Sequence, residues 1–461
     1  MTSGQHLGNL GLTPPRLAPL MQGVCFGLSR ALVTNAQIDS RLCGPGSLFF
    51  ALGGERFDGF SFIADGEQRG AVAVVVPIHR AEEARALSAM SVIGVDDVLA
   101  ALHRLAAAYI DAIRGATLVG ITGSVGKTTT KEALATILGG SGPTARTPGN
   151  LNSEYGLPLS VFTLSPHDRY GVFELGIDHV GEMERLVSIL RPSHALLTNI
   201  GISHLQKFGS VRTTATEKAK IFHPAVQAGF ISEGCTHLPL IEASAGRALT
   251  RYQHTDVQAI DLGLDGWRIS WHGHHFTVRT VGRHLLEDVV GAITVADSLG
   301  IGASTIAAAL EGFEPMSGRT SVKSGPITII DDTYNASLDS TRGILGYLST
   351  LSWKGAKKVV LGPMKELGSE SRRAHRLIGH LLATSSFSQA HLYGEEMRDA
   401  KDELARLGYR GTVTWTEDFF ELGEQVNKTI REGDLVLLKA SRSVAIDRLI
   451  PSLQARGHRY A

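Results

Sequence analysis

The sequence predicts an α/β protein of three domains, and three observations carry that reading. Its 461 residues are ample for several cores, since one domain takes about 150 residues. A short apolar run, a glycine loop and a helical run follow one another between Thr117 and Leu138, the unit from which a parallel phosphate-binding sheet is built. After Gly318 a second series of strand-like and helix-like segments begins, which reads as a dinucleotide-fold-like sheet. The expected boundaries are 1–95, 96–317 and 318–461.

Taken in order, the first hundred residues hold strand-like runs at Ser47 to Leu52 and Ala71 to Val76, separated by Gly, Asp and Pro, and read as a small α/β domain. From Val95 to Arg114 the apolar residues Val98, Leu99, Leu102, Leu105, Ala106 and Tyr109 recur at three- and four-residue spacing, which predicts a helix leading into the second domain. Thr117 to Ile121 is an apolar strand, Gly123 to Gly126 a loop, and Thr128 to Leu138 a helix ended by Gly139 and Gly140. Further strands are predicted at Gly171 to Leu175 and Ala195 to Asn199, each running into a polar loop at the end where such sheets collect ligands. The alternation Trp267, Ile269, Trp271 predicts a hairpin between Gly263 and Thr280. Its His272, His274 and His275 lack a nearby Cys or carboxylate and fit a solvated strand face better than a metal site. The third domain is expected to carry strands at Ile327 to Ile330, Lys358 to Leu361, His391 to Tyr393 and Leu435 to Leu438.

Composition excludes several classes. Lys plus Arg and Asp plus Glu are 45 each, so there is no basic surplus for coating a nucleic-acid backbone. Three cysteines, Cys25, Cys43 and Cys235, are too few and too scattered for a disulfide framework or structural zinc, which suits a reducing cytoplasm. The strongest apolar run stops at Pro77, far short of the roughly 20 residues of a membrane span, and no export signal is expected. Glycine is the outlier, with 52 residues, and predicts tight turns or close approach of backbone to a ligand.

The strongest chemical signal is Thr122-Gly123-Ser124-Val125-Gly126-Lys127-Thr128-Thr129-Thr130. A triphosphate needs inward backbone N–H groups, which glycines permit, a lysine for the β- and γ-phosphates, and a hydroxyl for Mg²⁺. Gly126, Lys127 and Thr128 supply those roles. Ile121 stands where the commonest phosphate-loop spacing has glycine, which directs attention to the shorter form TGSxGKTTT.

With the motifs that follow it, this shorter form resembles the Mur ligase family, the ATP-dependent amide-bond-forming enzymes of peptidoglycan precursor synthesis. The likeness is greatest to the branch that joins D-alanyl-D-alanine to UDP-N-acetylmuramoyl-tripeptide. It rests on Asp39-Ser40-Arg41, Pro45 to Leu52 and Arg56 to Gly59 in the first domain; Thr147 to Asn152, Glu174-Leu175-Gly176 and Thr198 through His204 to Gly209 in the second; and Asp331 to Asn335 and Lys439 to Ser443 in the third.

The resemblance implies a UDP-binding N-terminal domain, a central P-loop parallel-sheet ATPase domain and a Rossmann-like C-terminal domain. It implies that ATP phosphorylates a substrate carboxylate and that an incoming amine displaces phosphate from the acyl phosphate. On this resemblance Gly123, Ser124, Val125, Gly126, Lys127, Thr128 and Thr129 cradle the nucleotide, and Arg319 and Asp331 contact its phosphate and ribose. Thr128 and Glu174 hold a first Mg²⁺, and His204 a second. Lys218, in Glu217-Lys218-Ala219-Lys220, is carbamylated to become a metal ligand. Asn335 and Lys439 join Lys127, His204 and Lys218 as catalytic residues; Asn150, Asn152 and Glu154 contact the tripeptide, and Ser40 and Arg41 the UDP end. The partners implied are small molecules, without nucleic acid or a membrane span, and a monomer is the default.

Some positions depart from the family pattern. Leu285 follows Gly282-Arg283-His284 where an asparagine beside adenine is usual, and Asp288 stands where another asparagine is common. Val125, Pro363 and Leu338 replace an asparagine, an aspartate and a proline. None removes a phosphate or metal group, which favours an active enzyme. A non-catalytic homologue or a different ligase of the superfamily stands as the alternative, and the Asp39 to Gly59 segment argues against a folate-adding type.

Overall fold

The computed structural model describes residues 7–54, 57–202 and 205–455. These fall into two compact units, one of Met1–Thr122, Ser141–Leu196 and Lys220–Gly229, the other of Gly123–Gly140, Leu197–Ala219 and Phe230–Ala461.

The first unit opens with five strands, β1 (Val24–Phe26), β2 (Asn35–Gln37), β3 (Ser47–Phe50), β4 (Ala71–Pro77) and β5 (Ser91–Val95), in the order β1-β5-β4-β3-β2. Only the β1–β5 pair is antiparallel. The apolar runs predicted at 47 and 71 are β3 and β4, and both are almost wholly buried, as expected of strands covered on both faces. The predicted helix forms at Val98–Ala112, with Asp97 accepting the Ala100 N–H at its start. Its buried face comprises Val98, Ala101, Leu102, Leu105, Ala106 and Tyr109, the predicted stripe with Ala101 in place of the half-buried Leu99.

A second sheet contains β6 (Thr117–Thr122), β7 (Thr144–Arg146), β8 (Tyr170–Glu174), β9 (His194–Leu197), β10 (Ala228–Ser232) and β11 (Thr250–Tyr252), in the order β11-β10-β9-β6-β8-β7. The β6–β8, β7–β8 and β10–β11 pairs are parallel. The strand expected to run to Asn199 ends at Leu197, because the Thr198 and Asn199 side chains bond the phosphate loop.

In the second unit, β12 (Gln258–Asp261), β13 (Trp267–Trp271) and β14 (His274–Val278) form an antiparallel sheet. The predicted hairpin is therefore flanked by a third strand. Its His272 lies at positive φ in the turn, stacked on Trp271, and His275 bonds the Ser270 hydroxyl.

The last sheet has β15 (Ser321–Lys323), β16 (Thr328–Asp332), β17 (Lys357–Leu361), β18 (Gln389–Tyr393), β19 (Thr412–Thr416) and β20 (Leu435–Lys439), ordered β15-β16-β20-β17-β18-β19. All pairs but β15–β16 are parallel, with apolar clusters around Leu437 and Leu438. This is the doubly wound sheet expected of the third domain.

One histidine of this core gives a pH test. His391 is fully buried, and its Nδ1 and Nε2 lie 2.8 and 2.9 Å from the hydroxyls of Thr414 and Thr429. The Thr429 hydroxyl donates to the Gln425 carbonyl, so it accepts from Nε2–H and leaves Nδ1 to accept from Thr414. Burial, reinforced by the Lys358 charge, pushes the imidazole down to about 4. The unfolded chain binds the proton first, so stability is full above about pH 6.5 and falls as pH drops toward 4, by at most about 3 kcal/mol. Urea melts across that range should show this acid slope, and His391→Gln should make it shallower.

Candidate active site

The site is built around the turn between β6 and the helix Lys127–Gly139. Gly123 and Gly126 sit at φ +150° and +88°, in the region where a side chain is strained. A Cβ on Gly123 would collide with the Thr198 hydroxyl, and one on Gly126 with the Asp288 carboxylate. The glycines are thus required by close approach as well as by backbone angle.

The loop between them is fixed by the end of β9. Asn199 accepts the Val125 N–H at 2.9 Å and donates to the Val125 carbonyl at 3.1 Å, while its own carbonyl accepts the Ser124 N–H. Thr198 donates its hydroxyl to the same Val125 carbonyl. Val125, where the family pattern has asparagine, is therefore held through its backbone. The Ser124 hydroxyl accepts the Gly201 N–H at 2.9 Å.

Two lysines converge on this loop. Lys127 Nζ donates to the Gly123 carbonyl at 2.8 Å, and Lys218 Nζ, from the helix Val211–Ala219, donates to the same oxygen at 3.0 Å. Lys218 is almost wholly buried. Lys220, its neighbour in the motif, instead pairs with Glu184 at 3.2 Å.

Residues far along the chain reach the same loop. Arg319 Nη2 donates to the Thr128 hydroxyl at 3.0 Å, and its guanidinium lies 3.8 Å from the centre of the Tyr334 ring. The adjoining turn is stitched to β16: the Tyr334 N–H donates to the Gly318 carbonyl, and the Ser317 hydroxyl to Asp331. Asp331 also accepts the Thr333 hydroxyl at 2.7 Å and pairs with Lys323. Lys439 and Asp332 are register partners on β20 and β16, 2.6 Å apart and buried. Lys439 also donates to the Asn335 carbonyl, and Asn335 itself is exposed.

Asp288 presses on the Gly126 end of the turn. It is buried on the helix Arg283–Ser298, and that burial, with Glu287 beside it, holds its carboxyl well above the usual carboxylate range despite Arg319 and Lys127. His284 on the same helix is pushed down to about 4, chiefly by burial.

In the first unit, Glu174 ends β8, in register with Ile121 of β6. It is fully buried, and Asn152 Nδ2 donates to its carboxylate at 3.3 Å. Asn150 is exposed; the Glu154 carbonyl bonds His103 Nε2 and its carboxylate pairs with Arg185. Ser40 is buried and bonds Asp65, whereas Arg41 is exposed and pairs with Asp39, whose carboxyl it holds low. His204 lies outside the described residues.

A parallel strand running into a glycine turn and a helix, with a lysine, a hydroxyl and an arginine gathered at the turn, defines a nucleoside-triphosphate-binding protein. Sequence models of three Mur ligase segments match the chain: the family's catalytic domain over residues 32–110, its middle domain over 121–296 and its glutamate ligase domain over 318–442. A UDP-N-acetylmuramoyl-tripeptide–D-alanyl-D-alanine ligase of Treponema pallidum is 33% identical over 450 residues, covering 94% of this chain and 98% of that protein. The structure of MurF from Acinetobacter baumannii matches with a TM-score of 0.86 at 26% identity, covering 96% of this chain and 98% of that one. MurF ligase from Thermotoga maritima in complex with ADP gives 0.78 at 26% identity, covering 94% and 100%. The chain belongs to the Mur ligase family.

The loop geometry makes one residue outside the phosphate motif testable. Asn199→Ala removes both bonds from its side chain to Val125, and at about 1 kcal/mol each ADP affinity should fall between tenfold and a hundredfold, read by calorimetry.

Proposed function

We propose that this chain joins D-alanyl-D-alanine to UDP-N-acetylmuramoyl-tripeptide with the conversion of ATP to ADP and phosphate. The observation that carries the reading is the intact phosphate loop, with Lys127 and Lys218 on its Gly123 carbonyl and Arg319 on Thr128. It occurs in a chain that is similar, over almost its whole length, to a ligase of that name.

On this reading the tripeptide's terminal carboxylate attacks the γ-phosphorus of ATP, and ADP leaves. The amine of D-alanyl-D-alanine then attacks the acyl carbon, loses a proton and expels phosphate. Lys127 exchanges the Gly123 carbonyl for the β- and γ-phosphate oxygens, and Arg319 places a second cation beside Thr128, where phosphoryl charge must be offset. Asn150, Asn152 and Glu154 belong to the tripeptide side, Ser40 and Arg41 to the UDP end, and Asp331, Asn335 and Lys439 to the third-domain face.

The donor set fits magnesium. The Thr128 hydroxyl and the buried Glu174 carboxylate are each a hard oxygen donor, proposed for a first Mg²⁺, and His204 is proposed for a second. Bound there, Mg²⁺ offsets charge on the transferring phosphoryl group. The Lys218 ammonium repels a cation, whereas addition of CO₂ to the neutral amine, with loss of a proton, gives a carbamate that supplies oxygen instead. We place the domain boundaries at 95/96 and 317/318, the second coinciding with the start of the matched segment 318–442. No helix among the described residues is long and apolar enough to cross a membrane, and we propose a cytoplasmic monomer.

The test is phosphate release and product mass with that substrate pair, against single D-amino acids, meso-diaminopimelate, lysine and folate as acceptors or substrates. Product with D-alanyl-D-alanine alone supports the reading; turnover only with another compound overturns the assigned specificity. Lys127→Ala should abolish phosphate release, and normal turnover would sink the site. Lys218→Ala should lose activity and regain part of it with added short carboxylates.

A further inference from the structure

Gly201 and Ile202, before His204 in the chain, and Gln206, after it, are held by the third domain. On one side, Asp339, in the first turn of the helix Leu338–Thr350, accepts the Ile202 N–H. The carboxylate lies so close to Gly201 that a Cβ there would collide with its Oδ2. On the other, the Gln206 N–H donates to the Glu366 carbonyl at 3.3 Å, and Gly368 packs against the Gln206 backbone. Glu366 holds a positive φ of 65°, a strained angle for a residue with a side chain.

This grip continues into the phosphate loop. Gly201, pressed by Asp339, donates its N–H to the Ser124 hydroxyl, and Ser124 in turn donates its N–H to Asn199. Gly201 and Asn199 thus form a short backbone bridge from Asp339 to the turn between Gly123 and Gly126. The Asp339 side chain keeps solvent exposure on its outer side, so burial of apolar surface is not its main contribution. Neither the phosphate motif nor the metal set accounts for a carboxylate at this position.

We propose that Asp339 is a positioning residue for the ATP step: it fixes Gly201 and Ile202 against the helix Leu338–Thr350 and, through Gly201 and Ser124, sets the phosphate loop in its working form. The inference rests on the reading of residues 123–128 as the triphosphate cradle. It makes nucleotide turnover depend on an N–H acceptor at position 339, with the negative charge secondary. Gly201 has no side chain because Asp339 occupies that space.

The kinetic test uses the full chain with ATP and the proposed substrate pair. Asp339→Ala should lower kcat about tenfold or more while leaving the KM for the UDP-linked substrate within twofold and the thermal midpoint within a few degrees. Asp339→Asn keeps an acceptor oxygen and should retain kcat within about threefold. Gly201→Ala should be as damaging as Asp339→Ala, and combining the two should cost less than the product of the single effects, because the methyl then enters the space the carboxylate left. A kcat for Asp339→Ala within twofold of the parent overturns the proposal. So does an Asn variant as impaired as the Ala variant, or strictly multiplicative losses in the double variant. Lys127→Ala separates the two readings. If it is inactive while Asp339→Ala is normal, only the positioning role fails; if it turns over normally, the cradle itself is misassigned.

Discussion

Two ammonium groups, Lys127 and Lys218, meet at one backbone oxygen, that of Gly123, and the rest of the site is arranged around that convergence. Cations placed this close repel one another, and an anion such as a triphosphate, drawing on both, suits the arrangement. The carbonyl can accept both lysines only because the turn at Gly123 faces it inward, and that turn needs a residue without a Cβ beside Thr198.

The same constraint explains what was legible in the sequence. Strand, turn and helix at 117–139 follow from local pattern: an apolar run buried in a sheet, glycines at positive φ, and a helix whose first residue is the phosphate lysine. The four strands read after Gly318 are likewise local, since each is a short apolar run buried between helices. What local pattern does not contain is register. Asp332 and Lys439 lie opposite each other because β16 and β20 are adjacent and parallel, although the intervening chain includes β17, β18 and β19. Asp339 against Gly201 is the same kind of fact. A carboxylate two positions into a helix reads as ordinary helix-start chemistry, and only the fold shows that it reaches the loop beside the phosphate turn. The strand expected at Ala195 to Asn199 ends at Leu197 for a related reason. Thr198 and Asn199 suit a strand end, but their side chains are committed to Val125.

Departures from the family pattern also acquire physical content. Val125 in place of asparagine leaves the turn intact because its contacts use the backbone N–H and carbonyl, which every residue other than proline has. Asp288 in place of asparagine would place a negative charge beside Gly126, yet its carboxyl is held well above the ordinary range by burial. That shift disfavours the charged form and so brings the carboxyl nearer to the uncharged amide of an asparagine. Gly126 tolerates the contact because it has no Cβ to lose to it.

The glycine excess of the composition is thus partly a map of side-chain pressure on backbone. At Gly123 the crowding group is Thr198, at Gly126 Asp288, at Gly201 Asp339 and at Gly176 Asn152. In each case a polar side chain from a distant segment presses on the main chain of a nucleotide or substrate loop. Such contacts fix a loop without burying it in apolar surface, so the turn can still face phosphate although Asn199 takes the Ser124 and Val125 N–H groups. A loop rigidified by hydrophobic packing would lose that access. A loop left to glycine flexibility alone would have to be ordered when the nucleotide binds, at about 1–2 kcal/mol per residue. Polar crowding from outside resolves the conflict, which is why residues as far apart in the chain as Ser124, Gly201 and Asp339 act on one another.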